Sequence, residues 1–78
     1  NSISIYPNPT QNNINVNFEE TINNASYRLV DVAGREVVSS SINGVCSLNL
    51  DLSNHNNGVY FLMINIEGEV ITKKIIKQ

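Results

Sequence analysis

The 78-residue chain has no tryptophan, one cysteine (Cys46), one histidine (His55), and five basic side chains against seven acidic ones. Each scarcity excludes something. A lone cysteine closes no internal disulfide, so the fold stands on its core or on a parent's support, and the redox compartment cannot be read from it. His55 has no second histidine, no cysteine neighbour and no carboxylate at ligand spacing, which leaves zinc without support and makes it a solvated loop residue. One His and one Cys, without a Gly-rich loop, supply neither a nucleophile with its base nor a phosphate cradle. No enzyme, catalytic residue, cofactor or metal is expected. The formal net charge of -2 lacks the cationic surface that nucleic acid requires. No apolar run reaches the length of about 18 residues read as a membrane helix, so membrane insertion is not expected. Asn1 opens the chain without an initiator Met or a charged-then-apolar leader, and the chain reads as the end of a longer protein.

What is present is a foldable apolar pattern. Apolar residues make up 41% and charged residues 15%, too apolar and too weakly charged for disorder despite the many asparagines. A chain this short forms one domain, burying roughly 60% of its unfolded surface. Every second side chain is apolar in Asn13-Ile14-Asn15-Val16-Asn17-Phe18, the signature of a half-exposed strand. Further strands are expected over Ser2 to Tyr6, Ser26 to Val32, Arg35 to Ser40, Val45 to Leu50, Val59 to Ile66 and Val70 to Lys77. About seven short strands at near-regular spacing predict an all-β sandwich. Val59 to Ile66, apolar on both faces in its first half, reads as a central strand. Ala33-Gly34 and Glu67-Gly68 predict hairpins, and Asn43-Gly44 a further turn. Pro7 and Pro9, flanking Asn8, should end the first strand in an exposed corner. Asp51 to Gly58 predicts a single helical turn crossing between sheets, capped by Asp51 or Ser53 and left through Gly58. Cys46, in phase with Leu48 and Leu50, is expected inside as a small hydrophobe.

The remaining polar residues read mostly as structural. Asp31 is expected to accept hydrogen bonds in the hairpin containing Gly34, with Arg35 as an ion-pair partner. Neither Asp31, Asp51 nor Glu19-Glu20 sits among the dense alternating carboxylates that a calcium cage needs. Asn24-Ala25-Ser26 fits a glycosylation sequon, a three-residue match that a chain rich in Asn and Ser produces by chance; Asn8-Pro9-Thr10 is excluded by its proline. Charge is more informative. Lys73, Lys74 and Lys77 are three of the five basic residues, and no acid follows Glu69. A lysine-guarded edge resists aggregation, and the same edge offers backbone groups to a receptor that adds a strand. Both readings stay open.

The ordered set Tyr6-Pro7-Asn8-Pro9-Thr10, Asp31, Gly34, Arg35, Asp51-Leu52-Ser53, Gly58, Tyr60 and Lys73-Lys74-Ile75-Ile76-Lys77 resembles the type A C-terminal sorting domains of type IX (Por) secretion, found in Bacteroidota-type bacteria. The resemblance spans nearly the whole chain. It implies an immunoglobulin-like β-sandwich at the end of a secreted parent, with an N-terminally linked cargo and no catalysis of its own. The implied partners are the outer-membrane translocon and a sortase that removes the domain. The implied route runs through the periplasm to the cell surface or medium. Carried over by position, Pro7, Asn8, Pro9, Asp31, Gly34, Arg35, Asp51, Gly58 and Tyr60 mostly shape the fold, Tyr60 filling the core while its hydroxyl seeks a partner. Recognition itself is assigned to Lys73, Lys74, Ile75, Ile76, Lys77 and Gln78. His55 departs from the family pattern, which carries an apolar residue there. The alternative is an immunoglobulin-like spacer or binding module, whose sugar-stacking platform would have to draw on Tyr6, Tyr27 or Tyr60.

Overall fold

The computed structural model describes residues 3–78. Seven strands form: β1 (Ile3–Tyr6), β2 (Asn13–Ile22), β3 (Ala25–Asp31), β4 (Glu36–Ile42), β5 (Val45–Asp51), β6 (Gly58–Ile66) and β7 (Glu69–Lys77). They build two antiparallel sheets, ordered β1-β2-β5 and β4-β3-β6-β7, the expected immunoglobulin-like sandwich. Ser2, the expected start of the first strand, lies outside the described residues.

Alternation decides which side chains meet between the sheets. Ile14, Val16 and Phe18 of β2 are buried while the intervening asparagines are only half-covered. Opposite them lie Leu29, Tyr60, Leu62, Ile64 and Ile75, all 5% exposed or less. β6 runs between β3 and β7; Leu62 and Ile64 enter the core, while Phe61 and Met63 are half-buried on the outer side, where Phe61 lies between Val30 and Lys74 and Met63 between Arg28 and Thr72. At the corner before β6, the Tyr60 hydroxyl donates to the Asn56 carbonyl four residues upstream. This is the tyrosine corner of such sandwiches, and it gives the buried ring's polar tip its partner.

Both expected hairpins form. Glu67 and Gly68 have φ of 53° and 85°, the two left-handed residues that a tight hairpin turn requires. The β2–β3 and β4–β5 connections cross between sheets side by side and clasp each other. Asn23 Oδ1 accepts from the Gly44 amide at 2.8 Å, and Asn43 Oδ1 accepts from the Asn24 amide at 2.8 Å. The asparagine-rich loops are therefore tied.

Three expectations fail. Cys46 is exposed, not core. β2 runs on to Ile22, and the β2–β5 register shifts between Asn17, which faces Ser47, and Ile22, which faces Val45. The shift reverses the alternation, so Val45 packs on the core and Cys46 faces solvent. No helical turn forms between Asp51 and Gly58. Asp51 Oδ1 accepts from the Ser53 amide at 2.9 Å and the His55 amide donates to the Leu52 carbonyl at 3.0 Å, closing a turn that the following asparagines do not extend. His55 is half-buried, edge-on to the Tyr60 ring with centroids 6.5 Å apart, and not a solvated loop residue. Its ring occupies the apolar place of the family pattern.

Candidate recognition surface on the terminal strand

β7 is an edge strand, hydrogen-bonded along one side to β6. Its register with β6 sorts the lysines by face. Lys73 lies opposite Leu62, Ile75 opposite Tyr60 and Lys77 opposite Gly58, so these three share the core side. Lys74 lies opposite Phe61 and Ile76 opposite Val59, on the outer side. Ile75 is fully buried, and Lys77 is 8% exposed with Nζ donating to Asn57 Oδ1 at 3.1 Å. Lys73 and Ile76 are half-buried; Lys74 and Gln78 are exposed. The six tail residues thus divide into a buried pair that holds the strand down and a remainder that reaches the surface.

The outer edge of β7 is closed along its final residues. After β1 the chain turns through Pro7, Asn8 and Pro9, all exposed, and lies against β7. The Asn8 side chain substitutes for a neighbouring strand: Nδ2 donates to the Lys74 carbonyl at 2.9 Å, and Oδ1 accepts from the Ile76 amide at 3.1 Å. Thr10 continues the strap, its amide donating to the Ile76 carbonyl at 2.9 Å and its carbonyl accepting from the Gln78 amide at 2.8 Å. Backbone groups alternate sides along a strand, so the groups of Lys74, Ile76 and Gln78 that meet the strap identify the even-numbered residues as outward. Val70, Thr72 and the Lys74 amide complete that row and make no backbone hydrogen bond to the described residues. The edge is sealed near its end and open before it.

Asn8, Thr10 and Asn57 were not assigned to the tail by sequence reasoning. One signal pointed to Asn8: between two prolines it has no place in a ladder, yet its carboxamide carries a donor and an acceptor at strand-like separation.

The other motif residues make contacts within the fold. Asp31 Oδ1 accepts from the amides of Ala33 at 3.0 Å and Arg35 at 2.9 Å, and Oδ2 pairs with Arg35 Nε at 3.0 Å. The Arg35 amide bond foremost, then the guanidinium, hold the Asp31 carboxyl below the usual aspartate value. Gly34, at φ 84°, makes the turn that brings these groups round. Asp51 is lowered likewise, chiefly by the hydrogen bonds from Ser53 and also by the nearby His55. Leu52 is fully buried, and Gly58 opens β6 at φ 147°. A surface depression of about 300 Å³ lies on the outer face between Arg28 and Val70, over Met63 and Asn65. Among the described residues no three His, Cys, Asp or Glu side chains group as metal ligands, and no helix is long and apolar enough to cross a membrane.

These features define a seven-strand immunoglobulin-like sandwich whose last strand is a cationic edge tethered by the segment after the first. The family model described as the secretion system C-terminal sorting domain matches residues 4–78. The chain belongs to that family, the C-terminal sorting domains of type IX secretion. No curated protein matches the chain. The family is one of sorting signals and not an enzyme family; membership implies linkage to an N-terminal cargo, use of the type IX system, and export to the cell surface or medium.

Proposed function

We propose that this domain directs a covalently linked cargo from the periplasm across the outer membrane by engaging the type IX translocon, and that a sortase then removes it. The family match over residues 4–78 carries this reading. The tail Lys73, Lys74, Ile75, Ile76, Lys77 and Gln78 is the recognition element within it. Lys74 and Gln78, with the half-buried Lys73 and Ile76, are the parts a receptor can touch, whereas Ile75 and Lys77 keep the strand in place. The domain acts as an address and performs no chemistry. The test fuses residues 1–78 behind a leader-bearing fluorescent reporter in a host with type IX machinery and in the same host lacking the translocon. Delivery to the surface or medium in the first and periplasmic retention in the second is the expected pair. Retention in both, with the domain folded, contradicts the proposal.

A further inference from the structure

We propose that the open stretch of the β7 edge, from Val70 to Lys74, is a docking site for an extended, acidic segment of a protein partner, which joins the four-stranded sheet as a fifth strand. The inference rests on the secretion reading above and specifies where the partner contacts the domain. Several observations converge on this stretch. Its outward backbone row, Val70, Thr72 and the Lys74 amide, is unpaired among the described residues, whereas the row beyond it is occupied by Asn8 and Thr10. From Val70 to Lys74 the edge runs about 14 Å at about 3.4 Å per residue, enough for a short added strand and too short for a long one.

Charge selects the partner. The other edge strands, β1, β4 and β5, contain no Lys or Arg, so β7 is the one edge strand with cations among the described residues. The ion pair found among those residues joins Arg35 to Asp31, leaving Arg28, Lys73 and Lys74 without a carboxylate partner. Arg28, Met63 and Thr72 are neighbours in one cross-strand row, which brings the guanidinium toward the same edge, with Nη2 at 3.4 Å from Met63 Sδ. Finally, the depression of about 300 Å³ lined by Ser26, Tyr27, Arg28, Met63, Asn65 and Val70 opens beside the strand. Val70, 54% exposed, forms its apolar rim. An added strand would place alternate side chains there and its carboxylates near Lys74.

The experiment uses the reporter fusion with three substitutions. Thr72→Pro removes an outward amide that no described residue uses, and the ring obstructs strand addition while the ladder to β6 stays paired. Lys74→Glu reverses the charge beside the edge, and Lys74→Arg keeps it. With the intact fusion exported, delivery falls about tenfold or more for Thr72→Pro and Lys74→Glu and is retained by Lys74→Arg. Denaturation midpoints of the purified variants establish that they fold; should Thr72→Pro not fold, the two Lys74 variants decide. Folded Thr72→Pro exported as well as the intact fusion overturns the docking site, and equal export of Lys74→Glu and Lys74→Arg overturns the acidic partner. Failure of the intact fusion itself would instead refute the secretion reading.

Discussion

Replacing Asn8 with alanine removes the bracket that holds the end of β7 and leaves every core side chain in place. Two hydrogen bonds are lost, at 2.9 Å to the Lys74 carbonyl and 3.1 Å from the Ile76 amide. A net hydrogen bond contributes about 1 kcal/mol, and because both lie at the exposed edge, water replaces them in part; the expected loss is about 1 kcal/mol in total. In a domain of this size that lowers the thermal midpoint by about 4–8 °C. Urea denaturation followed by circular dichroism measures the global loss, with the midpoint falling and the slope unchanged. The effect is also local. The Ile76 amide should exchange with solvent much faster in Asn8→Ala, while the Leu62 and Ile64 amides inside the sheet follow only the small global change. An unchanged midpoint together with an unchanged Ile76 exchange rate would refute the idea that the carboxamide closes the edge.

Ile75→Ala should cost about 2–5 kcal/mol, a large part of the stability of so small a domain, because the side chain is fully buried; chemical denaturation measures it. A tail truncation therefore unfolds the domain before it tests recognition, which is why substitutions at Lys74 are the sharper probe. Asp31→Asn should be less stable than the native domain at neutral pH. The lowered Asp31 carboxyl contributes stability that is present above the ordinary value of 3.8 and is lost as pH falls through the lowered one. The two unfolding midpoints should therefore converge below that range in an acid titration, and a gap that stays constant would refute the assignment. Cys46 should react with a thiol reagent in the native state as fast as after denaturation, since it is exposed; strong native protection would return it to the core.

The architecture was legible where local chemistry and tertiary packing agree. The alternating asparagines and apolar residues of Asn13 to Phe18, the Glu67-Gly68 turn and the doubly apolar β6 each follow from a local rule. Asp31 and Arg35 are four residues apart, and their pairing was legible too. What escaped depends on register or on distance along the chain. Nothing within Val45 to Leu50 signals that β2 carries extra residues opposite it, and that surplus turns Cys46 outward. The strap from Asn8 to Lys74 spans 66 positions, and no period of the local pattern encodes it. The burial of Lys77 likewise depends on Asn57 in a distant loop.

Residue-resolved amide exchange on the native domain tests the account most directly, because the docking site depends on which side of β7 is satisfied. Slow exchange is predicted at Ile71, Lys73 and Ile75, paired to β6, and at Ile76, held by Asn8, with fast exchange at Thr72 and Lys74. Protection at Thr72 as strong as at Ile75, or no protection at Ile76, would contradict the half-closed edge on which the docking site is built.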